Sequence, residues 1–157
     1  MKIVAFVSSH SHDGNTATAA KRLLQGAADA GAETEIVYLN EYDIKCCRGC
    51  RVCEKTNECV IKERKPGVMI FLSGNHGEKV FDSHIKVGYF LFNDLNAYPW
   101  REVLIPKTSW KATKDQPEKM EELYRTGADL VHHIEAGEAE DTARTQHFYE
   151  RYRLLKY

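Results

Sequence analysis

All five cysteines of this 157-residue chain lie within fourteen consecutive positions. Four of them follow the spacing C-x2-C-x2-C-x5-C, namely Cys47, Cys50, Cys53 and Cys59, and Cys46 is left over. Three thiolates spaced by two residues can turn inward around one compact inorganic core, and a fourth can close the set, as in the cysteine runs of bacterial ferredoxins. The spacing therefore favours an iron-sulfur cluster held by these four side chains.

Zinc is the alternative at these cysteines, because four thiolates also hold a zinc ion tetrahedrally. Zinc sites usually draw two pairs of ligands from separate turns, whereas these four thiols come from one uninterrupted run. A disulfide framework is not expected, since a cytoplasmic chain keeps its thiols reduced and the number of cysteines is odd. Iron-sulfur is favoured at this point, and zinc or no metal stays open.

A second stretch with the residue types for chemistry is the loop 8–16, "SSHSHDGNT". A loop that leaves a strand and opens a helix presents free backbone N–H groups and the positive end of the helix dipole, which favour a phosphate dianion. The alternative is a solvated loop whose serines and threonine merely cap a helix. The loop lacks both the lysine of a Walker motif and the three-glycine spacing of a dinucleotide site. The candidate phosphate-binding residues are Ser9, Ser11, Gly14, Asn15 and Thr16.

The elements around this loop are those of a strand-helix-strand unit. Lys2 to Val7 forms a short apolar run that polar residues terminate, which is typical of a strand. The loop then enters a helix with alanines and leucines at helical spacing, and Gly31 ends it. The stretch from Glu33 to Asn40 alternates and is rich in branched residues, so it predicts a second strand, parallel to the first.

Two further strands and two helices are predicted after the cysteines. Val68 to Gly74, which follows a Pro-Gly break, is hydrophobic enough for the centre of a sheet, and Ile85 to Asn93 predicts a fourth strand. From Gln116 onward, apolar residues share one helical face, and residues 138–157 predict a last helix that packs on a partner chain. The sequence does not give the order of the strands in the sheet.

The composition excludes several classes of function. The formal charge is −1, so no excess of basic residues attracts a nucleic acid. The first fifteen residues contain too few apolar positions for a secretory leader or a membrane span, so we expect a cytoplasmic protein that does not bind membranes.

Residues 1–63 resemble the start of the iron-sulfur flavoproteins and of the related NADPH-dependent FMN reductases of the flavodoxin-like superfamily. In that family a loop similar to "GSPRxxGNT" holds the FMN phosphate. Ser9 and the Gly14-Asn15-Thr16 element match it, whereas Ser11 stands at the arginine and His10 at the proline. The resemblance implies FMN at this loop, bound more weakly for want of one positive charge. It also implies a 4Fe-4S cluster at the four cysteines.

The chain departs from the family after Glu63, because the segment that supplies much of the isoalloxazine pocket is not found. The expected fold class is therefore α/β, a shortened flavodoxin-like doubly wound parallel sheet with a helical C-terminal extension. One domain spans 1–157, with the cysteine loop at 44–63 and the C-terminal helices at 116–157.

The resemblance implies an oxidoreductase or electron-transfer protein that uses FMN and a 4Fe-4S cluster. Its redox partner would be a ferredoxin or NAD(P)H, and we expect a homo-oligomer that binds no nucleic acid. The alternative is a degenerate flavodoxin-like subunit without FMN, whose cysteines hold a structural zinc or cluster. No catalytic side chain is assigned.

Two classes of side chain are expected to have other roles. Histidines are expected at the surface or facing a partner, although His76 would contact the flavin if its glycine loop lies over the ring. Trp100 and Trp110, with Tyr98 and Pro99, are expected to fill the core or an interface.

Overall fold

The computed structural model describes residues 1–42, 65–75, 77, 79–94 and 97–138. In this part of the chain, parallel strands alternate with helices, as expected for a shortened flavodoxin-like α/β fold. The predicted α/β class with parallel strands is confirmed, and in the described residues the strands form two two-stranded sheets rather than one. The cysteine loop 44–63, His76 and the predicted last helix over residues 139–157 lie outside the described residues, and the single domain over 1–157 stays a prediction.

The first strand-helix-strand unit agrees closely with the sequence. β1 is Lys2–Val7, α1 is Asn15–Asp29 and β2 is Glu33–Tyr38. The two strands pair in parallel, from Lys2 opposite Glu33 to Val7 opposite Tyr38. β2 ends two residues earlier than predicted, because a short 3-10 helix, Leu39–Glu41, follows it.

The second pair of strands corrects the sequence-based assignment. β3 is Lys65–Leu72 and β4 is Ala97–Ile105, and they pair in parallel. β3 begins three residues before the predicted Val68, because Pro66 and Gly67 lie inside the strand at an irregularity in the register. The predicted strand Ile85–Asn93 is wrong: it belongs to a helix, α2, Asp82–Asp94. The fourth strand of the described residues is β4, which was not predicted.

The helix predicted from Gln116 onward is confirmed as α3, Pro117–Glu135. It packs with α1 on one face of the strands. The two helices touch backbone to backbone: a Cβ atom on Gly127 would lie 1.9 Å from the Leu23 carbonyl oxygen, and one on Gly26 would lie 1.8 Å from the Tyr124 carbonyl oxygen. Only glycine permits this approach. The inward side chains of this layer are apolar and buried, among them Ile3, Leu24, Val103, Ile105, Leu123 and Val131.

Helix α2 covers β3 and β4 on the opposite face. Ile85 and Tyr89, one turn apart, are buried with Met69 and Phe81, and the Tyr89 hydroxyl donates a 2.6 Å hydrogen bond to Glu102. The outer side of α2 also carries apolar residues, Val87, Phe90 and Leu91, which are exposed. α2 is therefore apolar on almost every side. In the part of the chain that the structure describes, no helix has the length and apolar character needed to span a membrane.

Candidate functional site

The loops that follow β1, β3 and β4 are joined at one edge of the strands. The Ser73 N–H donates to the Ile105 carbonyl at 3.0 Å, and the Thr108 N–H donates to the Ser73 carbonyl at 2.9 Å, so the loops after β3 and β4 continue the strand pairing. Asn15, at the start of α1, bonds to the loop after β4. Ligands of open parallel sheets bind at the carboxyl ends of the strands. This edge is the candidate site.

The N-terminus of α1 is open to an anion. Its N-cap is Gly14, which supplies no side chain, and among the described residues no side chain caps the helix. The first N–H that bonds back along the helix is that of Thr18, which donates to the Gly14 carbonyl at 2.9 Å. The N–H groups of residues 15–17 thus precede the helical hydrogen bonds, and the first turn carries no acidic residue. No carboxylate of the first turn neutralises the positive end of the helix dipole, and Asp13, one residue before the N-cap, is paired with Lys21.

The predicted phosphate-binding residues are brought together by a close turn. The Ser11 N–H donates a 3.3 Å hydrogen bond to the Ser9 Oγ atom, which folds the loop back on itself. A Cβ atom on Gly14 would lie 3.1 Å from the Ser11 Cβ atom and 3.2 Å from its Oγ atom. Because Gly14 has no side chain, Ser11 can approach the start of α1. Thr16 lies in the first turn of that helix. These residues fit a phosphate group.

Asn15 has a structural role that the motif alone does not reveal. Its Oδ1 atom accepts a 2.7 Å hydrogen bond from the Thr113 N–H, and its Nδ2 atom donates a 3.4 Å bond to the Thr108 carbonyl. The side-chain amide was predicted to contact phosphate, but these two bonds direct it to the loop after β4. The backbone N–H of Asn15 remains at the open end of the helix.

A second contact that sequence reasoning missed fixes the phosphate loop to the end of β2. The His12 ring stacks on Tyr38 with 3.9 Å between centroids and an interplanar angle of 4°, and its Nε2 atom lies 2.9 Å from Glu41. The Lys21 Nζ atom donates a 2.7 Å bond to the His12 carbonyl oxygen. The loop is thus held from both sides. No local pattern signals these contacts, because Tyr38 and Glu41 lie more than twenty-five positions away.

The expectations for the tryptophans, their neighbours and the histidines agree with the structure only in part. Tyr98 and Pro99 are buried as predicted, and Trp100 packs against the core. Trp110 does not fill the core of this chain, since 66% of its surface is exposed. His133 corrects the expectation of surface histidines: it is 7% exposed, its Nε2 atom lies 2.9 Å from the Tyr98 hydroxyl, and its ring stacks on Trp100. Folding places Tyr98 and Trp100, which are distant in sequence, against the His133 ring.

The metal prediction falls outside the described residues. No group of three or more His, Cys, Asp or Glu side chains that could hold a metal ion occurs in 1–42, 65–75, 77, 79–94 and 97–138. The cysteines of the predicted cluster, Cys47, Cys50, Cys53 and Cys59, lie in 43–64, so their role as ligands stays a prediction. The same holds for His76.

Comparison with known proteins supports the resemblance in the N-terminal part. Residues 1–76 match the sequence model of the family described as NADPH-dependent FMN reductase. An iron-sulfur flavoprotein of Methanocaldococcus jannaschii is 31% identical over 61 residues, which cover 39% of this chain and 32% of that protein. The chain therefore matches about a third of this curated relative's length.

Among solved structures, a flavone reductase matches with a TM-score of 0.49 and 12% identity, over 89% of this chain and 66% of that one. The predicted resemblance to the FMN reductases and iron-sulfur flavoproteins is confirmed by the matches to the sequence.

Proposed function

Since its N-terminal part is similar to the NADPH-dependent FMN reductases, we propose that this chain is an FMN-dependent oxidoreductase or electron-transfer protein. The observation that carries the proposal is the uncapped N-terminus of α1, where Gly14 precedes a turn without acidic residues. Phosphate is one of the anions that such a helix end favours. A family match and an open anion site at the same loop support the same cofactor.

The residues that would hold the FMN phosphate are the backbone N–H groups of residues 15–17 and the hydroxyls of Ser9, Ser11 and Thr16. The hydrogen bonds and the ring stack of the loop hold these donors in place before the ligand arrives, which lowers the entropic cost of binding. When bound, FMN accepts two electrons with a proton as hydride and passes electrons on singly. The chain's own residues would orient the cofactor, and no acid-base side chain is assigned.

The second part of the proposal is a 4Fe-4S cluster held by Cys47, Cys50, Cys53 and Cys59. Their spacing and the similarity to an iron-sulfur flavoprotein support it. The described chain leads into this run from Glu41, which is paired with His12 of the phosphate loop. Cys47 follows Glu41 by six residues, so their Cα atoms are at most about 22 Å apart. This length limits how far Cys47 can lie from the residue that contacts the phosphate loop.

The partners follow from the cofactors. A reduced ferredoxin or NAD(P)H would supply electrons, and a small acceptor such as oxygen, a peroxide or a quinone would remove them. We also propose a homo-oligomer in the cytoplasm. The exposed apolar residues of α2, Val87, Phe90 and Leu91, support an assembly, because contiguous apolar surface commonly marks an interface.

The test is the visible absorption spectrum of the full chain purified without oxygen, with its iron and zinc contents. The proposal predicts the two absorption bands of an oxidised flavin and iron in the protein. The alternative, a degenerate subunit without FMN, predicts a protein that keeps metal but neither shows flavin bands nor takes up added FMN. That result would overturn the proposal.

A further inference from the structure

Trp110 is an exposed aromatic side chain on an anchored turn. Its own N–H donates a 3.0 Å hydrogen bond to the Lys107 carbonyl, and the N–H of Lys111 donates to the same oxygen at 2.9 Å. The Gln116 Nε2 atom donates to the carbonyls of Pro106 and Lys111, at 3.2 and 2.9 Å. The turn is thus fixed at both ends, although 66% of the Trp110 surface is exposed. A single exposed aromatic ring is common at protein surfaces, so the meaning of this one depends on where its turn lies.

Both ends of the turn are hydrogen-bonded to the candidate phosphate site. Thr108 and Thr113, which flank Trp110, both bond to the side chain of Asn15, the first residue of α1. Trp110 therefore lies on a short loop whose two sides are tied to the helix end that would hold the phosphate. The ribityl chain of FMN separates its phosphate from its ring by several bonds, so the ring must lie beside this helix end rather than on it.

The loop after β3 meets the same turn. A Cβ atom on Gly74 would lie 2.2 Å from the Ser109 Oγ atom, so the residue before Trp110 packs directly on this glycine. The Lys107 N–H donates a 2.9 Å bond to the Asn75 carbonyl, and Lys107 adopts a left-handed conformation with φ of 64°. A non-glycine residue in that conformation is strained and persists where surrounding contacts impose it.

The charges of the turn suit an anionic aromatic ligand. Lys107 and Lys111, on either side of Trp110 in sequence, are both exposed. The phosphate loop carries Ser11 where the family has an arginine, so its own cations are few. Lys21 and His12 already contact Asp13 and Glu41. The turn thus brings positive charge together with a large ring.

We propose that Trp110 forms a wall of the flavin site and packs against the isoalloxazine ring of FMN whose phosphate lies at the N-terminus of α1. This inference rests on the proposed function. Trp110, which comes from the loop after β4, would take the place of part of the pocket that the missing family segment supplies in the family.

The experiment titrates FMN into the full chain, freed of co-purified flavin, and records the emission of the flavin itself. An indole in contact with a flavin quenches that emission by electron transfer, whereas a phenyl ring does not. The wild type is compared with Trp110→Phe, Trp110→Ala and Trp100→Phe. Trp100 is the matched control, because the chain has two tryptophans and Trp100 lies about 16 Å up β4 from Ile105, towards the opposite edge.

We expect the emission of bound FMN to be quenched in the wild type and in Trp100→Phe, and not quenched in Trp110→Phe. Trp110→Ala should also weaken FMN binding by roughly two- to tenfold, the range for one aromatic stacking contact. If the emission of bound FMN stays quenched in Trp110→Phe and Trp110→Ala binds FMN as tightly as the wild type, this inference is overturned and the proposed function stands. A wild type that binds no FMN would overturn both.

Discussion

The Thr113 N–H donates a 2.7 Å hydrogen bond to the Asn15 Oδ1 atom, across ninety-eight positions of the sequence. Thr113 is fully buried, so its N–H has no access to water as a substitute partner. The bond makes the first residue of α1 the junction between the phosphate loop and the loop after β4. Substitutions of Asn15 therefore separate stability from phosphate binding.

Asn15→Ala should lower the free energy of unfolding by about 1–3 kcal/mol, because it leaves a buried N–H without an acceptor. Asn15→Asp keeps that acceptor and loses only the long 3.4 Å bond to the Thr108 carbonyl, and a carboxylate at a helix N-terminus is favourable, so its stability should stay within about 1 kcal/mol of the wild type. The same carboxylate would repel a phosphate. We expect Asn15→Asp to bind FMN at least about tenfold more weakly, because a like charge even about 8 Å from the phosphate costs about 2 kcal/mol near a protein surface.

Denaturant titration and FMN titration of both variants check this prediction. The informative variant is Asn15→Asp, since it should fold like the wild type and fail only in binding. If it bound FMN as tightly as the wild type, the phosphate would not lie at this helix end.

Gly127→Ala tests the contact of α1 with α3. Helix propensity alone predicts that alanine stabilises a helix by about 1 kcal/mol relative to glycine. The structure predicts the opposite sign, because the new Cβ atom would lie 1.9 Å from the Leu23 carbonyl oxygen. We expect a loss of about 1–3 kcal/mol or more, measured by denaturant unfolding.

Gly31→Asn is the matched control for that substitution. Gly31 has a φ of 94°, and no atom lies within 4 Å of a Cβ atom built there. Asparagine tolerates positive φ better than other residues with a side chain, so the loss should stay below about 1 kcal/mol. Equal losses at both positions would contradict the close approach of the two helices.

The cysteine assignment predicts different results for two neighbouring thiols. Cys50→Ala should abolish iron binding, because loss of one of four thiolates opens the site. Cys46→Ala should leave the iron content unchanged. The iron contents of the two purified variants test this assignment. If Cys46→Ala loses its iron, the assigned ligands are wrong by one position.

The proposed homo-oligomer predicts a solution mass that is a multiple of the 18.0 kDa chain. Light scattering on a sizing column measures it directly. The reason to expect assembly is the apolar outer side of α2, where Val87 is 68% exposed. A monomer at all concentrations tested would overturn the proposed homo-oligomer.

The sequence predicted the elements whose pattern is local. α1, β2 and α3 each have a clear period, and β1 is a short apolar run that ends at polar residues. α2 was mistaken for a strand because its apolar residues are not confined to one face: Ile85 and Tyr89 are buried, and Phe90 is exposed. A run that is apolar all round carries no period.

β4 was missed because its sequence breaks the usual rules for a strand. Pro99 lacks an N–H, and the register slips so that Gly67 faces Pro99 while Val68 faces Arg101. Trp100 is therefore the extra residue of a bulge, which is where a strand tolerates proline. Such a feature depends on the partner strand and cannot be read from one segment.

The candidate site shows the same division. The phosphate loop was predicted from its own residues, since Ser9, Gly14 and Thr16 form a local motif. The contacts of Asn15 with the loop after β4, and of His12 with Tyr38, join distant parts of the chain. Sequence patterns describe neighbours along the chain, so these contacts needed the fold.

The proposed function requires that the N-terminus of α1 bind the phosphate of FMN. The most direct test compares the dissociation constants of FMN and riboflavin, which differ only by that phosphate, for the full wild-type chain at low salt. We predict that FMN binds at least about tenfold more tightly than riboflavin, a difference of about 1.4 kcal/mol, and that added salt reduces the gap. Equal affinities for the two flavins would contradict the account.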